Sequence, residues 1–212
     1  MTDTADIRPE WFECWRDPSN FFLAARHKVA SIPYSEAIPN YVSEAYVAGL
    51  FACVWTQHRE CTVRLVSKQC RFPDAQLREG NIARDFEIVI ADKKNRRMFE
   101  EHKKWSDILK TGQIPASESS TERQAQAREA IPRVCDQKVA HYLGSKNSDK
   151  QAKAELLIYL NAGAVLSVDE MVQLTQPYQN KFQSIWLLCG IDAVRTWPKR
   201  KVLRAAENPF EH

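Results

Sequence analysis

The sequence predicts an α/β fold: a mixed central sheet, part antiparallel meander and part parallel additions, flanked by helices. Three observations predict it. Residues 61–91 hold three strand-like runs separated by short turn signals, residues 155–161 and 184–194 are long apolar runs, and helical patterns separate these later strands. Strands joined by tight turns pair antiparallel, whereas strands joined through a helix return parallel.

Taken in order, residues 10–29 carry Trp11, Phe12, Trp15, Phe21, Phe22, Leu23 and Val29 around Asp17-Pro18-Ser19-Asn20, a helix start, and so predict one or two short helices. Pro33 and Pro39 mark a loop. Ser43 can cap a helix over 44–58, because Val47, Leu50, Phe51, Val54 and Trp55 recur at helical spacing. Thr62, Val63, Leu65 and Val66 predict a first strand within 61–67. Residues 72–78 form a second, Glu79-Gly80-Asn81 carries turn chemistry, and Asp85-Phe86-Glu87-Ile88-Val89-Ile90-Ala91 is the strongest strand in the chain. A helix over 95–110, a Ser/Thr-rich loop over 111–121 and a helix over 122–143, with Pro132 as a kink or junction, come next. The strand at 155–161, a helix over 168–182 begun by Ser167 or Asp169, and a last strand at 184–194 complete the order. The expected organisation is an N-terminal helical extension (1–40), an α/β core (41–198) and a basic irregular tail (199–212).

Composition narrows the function classes. Hydrophobic residues at 44% and charged residues at 27% are those of a folded globular chain. No apolar run reaches the ~20 residues of a membrane helix, and the acidic start lacks a secretory pattern, so a cytoplasmic protein with no membrane partner is expected. The six cysteines, Cys14, Cys53, Cys61, Cys70, Cys135 and Cys189, are scattered and read as reduced thiols. A zinc site from Cys53, His58, Cys61 and Cys70 fits no usual spacing. A cysteine nucleophile has no singled-out histidine partner, and six glycines include no phosphate-binding loop. The formal charge of +3 is only weakly basic, but Lys93, Lys94, Arg96, Arg97, Lys103 and Lys104 crowd after the strongest strand, with Trp105 nearby. A run of this kind is a solvated face or a grip on a phosphate backbone.

Chemistry is suggested by the hairpin. With the turn centred on Gly80 and Asn81, Asp74 falls opposite Glu87 on the neighbouring strand. Two carboxylates side by side repel, and a hard divalent cation such as Mg²⁺ or Mn²⁺, which favours oxygen ligands, relieves the repulsion. A cation held there can acidify a water and neutralise a phosphate, as phosphodiester hydrolysis requires. Taken singly, Asp74 fits a strand-edge aspartate after a proline and Glu87 a solvent-facing strand residue; it is their combination that carries meaning.

Pro73-Asp74, followed by an acid on the next strand within an α-β-β-β-α-β frame over residues 44–195, resembles the PD-(D/E)XK nuclease superfamily, with its restriction-endonuclease-like fold. The resemblance implies a metal-dependent nuclease and two readings of the second half of the motif. Taken literally, Asp92-Lys93-Lys94 is the (D/E)-x-K element, with Asp92 and Lys94 on one face. By hairpin register, Glu87 is the second ligand and Val89 stands where the family has its lysine. In that case a lysine on the following helix replaces it: Lys138, with Tyr142 one turn later. Glu44 resembles the first-helix acid that completes the metal shell in many members, and is otherwise an early-helix glutamate favoured by the helix dipole. Nucleic acid is the implied partner, with Lys93, Arg96, Arg97, Lys103, Lys104 and Tyr142 as contacts; a homodimer or a protein partner is compatible with the same reading. The alternative is a catalytically inactive protein on the same fold, a nucleic-acid- or protein-binding module of the kind used in bacterial or phage defence.

Overall fold

The computed structural model describes residues 7–33, 36, 38–67, 72–91, 119–143, 153–160, 166–189 and 192–204. The aromatic leader folds into a single turn, α1 (Pro9–Phe12), and a longer helix, α2 (Pro18–Ser31). Asp17 starts α2 by accepting a hydrogen bond from the Asn20 N–H at 3.0 Å, while Pro18 supplies a first-turn residue that needs no acceptor. Both helices enter the main core: Phe12, Phe21 and Phe22 are buried in the same apolar cluster as α3 (Asn40–Thr56). The leader, expected as an extension, therefore packs as part of the core.

Helix α3 is apolar all round, with buried side chains on every side from Val42 to Trp55. Such a helix must be enclosed. Gly49 lets α2 approach, since a Cβ there would lie 2.9 Å from the Phe22 Cα. The sheet encloses the rest. Among the described residues its seven strands run in sequence order: β1 (Thr62–Leu65), β2 (Ala75–Glu79), β3 (Ile82–Ala91), β4 (Glu155–Leu160), β5 (Ser184–Cys189), β6 (Asp192–Trp197) and β7 (Lys201–Arg204). Helix α3 touches β1, β2 and β3 and also β6 and β7, so the sheet curls around it and brings its two ends close together.

The pairing is mixed, as the order of elements predicts. Strands β1, β2 and β3 form an antiparallel meander, β3, β4 and β5 are parallel, and β5, β6 and β7 are antiparallel again. Between the parallel strands run α4 (Ser120–Leu143) and α5 (Val168–Thr175), which cover the face away from α3. Ser119 with Glu122, and Ser167 with Glu170, close reciprocal hydrogen bonds at the two helix starts. Alternation along β3 sorts the faces: Phe86 and Ile88 join the α3 cluster, Val89 and Ala91 the α4–α5 cluster.

Several boundaries differ from the sequence reading. The run at 184–194 spans β5 and the start of β6; Gly190 and Asp192 mark the reversal, but the apolar residues on both sides read as one strand. The tail expected to be irregular from 199 begins with β7, and its Lys201 and Arg204 suit an edge strand, where charge discourages pairing with other chains. The helix expected over 168–182 stops at Thr175 and tightens into a 3₁₀ turn at Gln176–Tyr178, because Pro177 has no N–H to continue it. Pro132 lies inside one helix rather than between two. The expected helix over 95–110 and most of the loop at 111–121 lie outside the described residues. No described helix is long and apolar enough to cross a membrane.

Candidate active site

The β2–β3 turn is the two-residue kind, with Glu79 paired to Ile82 and Gly80 at a positive φ of 55°. This left-handed residue fixes the register. Ala75 then pairs with Phe86, and the next step places Asp74 beside Glu87. The Asp74 backbone is held from both sides: its N–H donates to the Phe86 carbonyl at 3.0 Å, and its carbonyl accepts from the Val66 N–H at 3.1 Å. The Asp74 side chain is held as well, since Oδ2 accepts from the Ile88 N–H at 2.8 Å.

Strand alternation puts both acids on the face covered by α4, and α4 delivers a cation to them. Lys138 Nζ lies 3.2 Å from Asp74 Oδ2 and also pairs with Glu87 Oε2. Burial differs across the triad: the Glu87 side chain is 1% exposed, Lys138 19% and Asp74 23%. Glu87 is the floor and Asp74 the side open to water. Burial pulls the Lys138 ammonium down, but Asp74 and Glu87, by charge and hydrogen bonding, outweigh it and hold its pKa above the ordinary lysine value. Lys138 is therefore a standing cation at neutral pH and not a proton acceptor. Two carboxylates sharing one ammonium keep one net negative charge.

Val89, where the resemblance expects a lysine, packs against the α4–α5 cluster, so a charged head at that position would meet apolar side chains. The helix-borne Lys138 reaches the acids from above instead. Tyr142 lies on α4 one turn further on. Asp92, Lys93, Lys94, Arg96, Arg97, Lys103 and Lys104 lie outside the described residues.

Glu44 does not join the acids. Its helix α3 packs on the opposite face of the sheet, and among the described residues no group of three or more His, Cys, Asp or Glu side chains is placed to hold a metal. The early-helix position that suggested it says nothing about which face the helix covers. Four cysteines also lose their chemical candidacy. Burial pushes the Cys53, Cys135 and Cys189 thiols up to about 12 and Cys61 to about 11, which keeps them protonated at neutral pH.

The structure adds a strip of polar residues that sequence reasoning missed. Gln76, two positions after Asp74, donates through Nε2 to Asp85 Oδ1 at 2.7 Å and accepts from Arg64 Nε and Nη2 at 2.9 and 2.7 Å. The Arg64 and Arg78 guanidiniums stack on the half-buried Trp15 ring, 4.6 and 4.4 Å from its centroid. Trp15 reaches this position because Arg16 bridges to Val63 and extends the sheet beyond β1. Strand alternation from Asp74 was the available signal for Gln76 and Arg78; nothing in the sequence linked Trp15 to them.

Comparison of this chain with known protein families, with curated proteins and with solved structures finds no match. The site must be judged on its own geometry.

Proposed function

We propose that the chain is a divalent-metal-dependent nuclease, a phosphodiesterase of DNA or RNA, in which Asp74 and Glu87 bind the cation and Lys138 contacts the phosphate. The observation that carries this reading is the convergence of Asp74 from the β2 end, Glu87 from β3 and Lys138 from α4 on one partly open spot. The donor set fits: the partly open Asp74 carboxylate and the buried Glu87 carboxylate beside it supply hard oxygen ligands, and water on the Asp74 side completes the shell that Mg²⁺ or Mn²⁺ prefers. The chemistry supplied when such a cation is bound is Lewis-acid polarisation of a phosphoryl oxygen and activation of water. Asp74 is fixed for its part by the Ile88 N–H, which aims one oxygen and leaves the carboxylate partly open. Lys138, kept protonated by its neighbours, donates hydrogen bonds to the charge that builds on the phosphate as water attacks and a P–O bond breaks. Arg64 and Arg78, stacked on Trp15, supply cations and an aromatic surface on the same face for the polynucleotide backbone.

The test is cleavage of single- and double-stranded DNA and RNA in Mg²⁺ or Mn²⁺ by the wild type and by Asp74→Asn. Metal-dependent cutting that disappears in the variant is expected. A wild-type chain that cuts none of these substrates overturns the proposal.

Two observations favour a second reading, a non-catalytic binding module on the same scaffold: Lys138 already bridges both acids, and no third acid stands with them among the described residues. Mn²⁺ titration separates the two. A working site gains thermal stability with the cation by mass action, and an ion pair with a purely structural role does not.

A further inference from the structure

A second charged cluster lies on the other face of the sheet, where the curl brings the β2–β3 hairpin and β7 together beneath the end of α3. Its centre is an edge-to-face pair of tryptophans, Trp55 and Trp186, with ring centroids 5.2 Å apart. Cations surround the pair. The Arg84 guanidinium lies 5.0 Å and Lys201 Nζ 5.9 Å from the Trp55 ring, and Arg195 lies 5.4 Å from Trp186. Arg59 completes the group through Glu79 Oε2 at 3.2 Å, the other oxygen of which accepts from the Trp55 indole N–H at 2.7 Å.

The described carboxylates account for only part of this charge. Glu155 is sealed at the base, satisfied by Arg84 at 2.7 Å, by the Trp186 indole N–H at 2.8 Å and by the Ser184 hydroxyl. Glu79 is shared between Arg59 and the more distant Arg84 Nε at 3.8 Å. Among the described residues, four cations thus face two carboxylates and the weak negative end of the α3 dipole. Lys201 registers the crowding: partial burial, then repulsion from Arg59 and Arg195, pull its ammonium below the ordinary lysine value against the opposing pull of Glu79. An ordinary solvated face spreads like charges apart. Here the curled sheet and the two indoles hold them together at a cost, the signature of a site that awaits a counter-charge.

We propose that Arg59, Arg84, Arg195 and Lys201 form an anion-binding site for a phosphate-bearing ligand, separate from the Asp74–Glu87–Lys138 site on the opposite face. Guanidiniums suit phosphate because their paired N–H groups match its oxygens, and Lys201 adds a point charge. The phosphate could come from a small anion or from a nucleic-acid end, and the experiment distinguishes these sources.

The experiment is calorimetric titration of the full chain with inorganic pyrophosphate at ionic strength matched with chloride. Saturable binding by the wild type is expected, weakened by at least about tenfold in Arg195→Gln/Lys201→Gln, the scale of lost charged hydrogen bonds. Lys201→Arg should bind as the wild type does, and so should Lys199→Gln, which removes a neighbouring exposed charge outside the cluster. Asp74→Asn should bind normally too, so that failure of the nuclease proposal leaves this one standing. If the double variant fails to fold by circular dichroism, Lys201→Gln alone is read against Lys201→Arg. A 5′-phosphorylated oligonucleotide that displaces pyrophosphate, where its unphosphorylated twin does not, supports a nucleic-acid end; no displacement supports a free anion. No saturable pyrophosphate binding by the wild type, or equal loss in Lys199→Gln, overturns the site.

Discussion

Replacing Lys138 by methionine keeps much of its volume and removes the ammonium that bridges Asp74 and Glu87. The consequence follows from burial. Glu87 is 1% exposed, so its charge cannot be handed over to water. Removing one partner of a buried pair typically costs about 3–5 kcal/mol. Because Lys138 is 19% and Asp74 23% exposed, water enters part of the site, and the lower end, about 3 kcal/mol, is expected. Neutralising the stranded acid should reverse most of this: Lys138→Met/Glu87→Gln is expected within about 1 kcal/mol of wild type, a coupling at the upper end for residues in contact. A divalent cation should substitute for the lost ammonium, so Mn²⁺ at about one hundred times its Kd restores about 2.7 kcal/mol to Lys138→Met. Urea unfolding of the three proteins with and without Mn²⁺ measures each term. A Lys138→Met protein less than about 1 kcal/mol below wild type, the ordinary range for surface changes, would refute the reasoning, as would a Glu87→Gln change that adds to the loss.

Further outcomes are expected. The stability difference between wild type and Lys138→Met depends on pH in a fixed direction: the folded-state pKa of Lys138 is raised, so its contribution is complete below the ordinary value of 10.5 and disappears as pH climbs through the raised one, which unfolding series at neutral and strongly alkaline pH will show. Asp74→Asn should abolish metal-dependent cleavage while lowering stability by only about 1 kcal/mol, since an amide oxygen can still accept from Ile88 N–H. Arg84→Met strands the buried Glu155 carboxylate and is expected to cost about 3 kcal/mol in denaturant unfolding; a neutral result would show that Ser184 and Trp186 suffice. Gly49→Ala drives a Cβ against the α2 backbone and should lower stability by about 1–3 kcal/mol, measured by thermal unfolding.

Much of the frame was legible in the sequence because local physics specified it. The Gly80-Asn81 turn fixes a two-residue hairpin, the hairpin fixes the register, and the register sets Asp74 beside Glu87 before any tertiary contact is considered. The alternation of Phe86, Ile88 and Ile90 put Glu87 on the opposite face of β3, and the apolar run of β4 marked a central strand. What resisted reading lacked a local signal. The reversal inside 184–194 is signalled only by Gly190 and Asp192 within an otherwise apolar run, and the strand at 201–204 reads as a basic tail because its partner, β6, was itself hidden. Glu44 was misplaced for a related reason: a helix apolar on all sides does not announce which face of the sheet it covers.

By itself, the sequence determined the mixed α/β class, the hairpin and its two neighbouring acids, since these depend on periodicity and turn chemistry within a few residues. Tertiary structure alone decided which face α4 covers, that Lys138 bridges both acids, and that the curl of the sheet gathers Arg59, Arg84, Arg195 and Lys201 around two tryptophans. Those contacts join residues far apart in the chain, and their geometry is set by how the sheet twists and packs around α3, which no local pattern encodes.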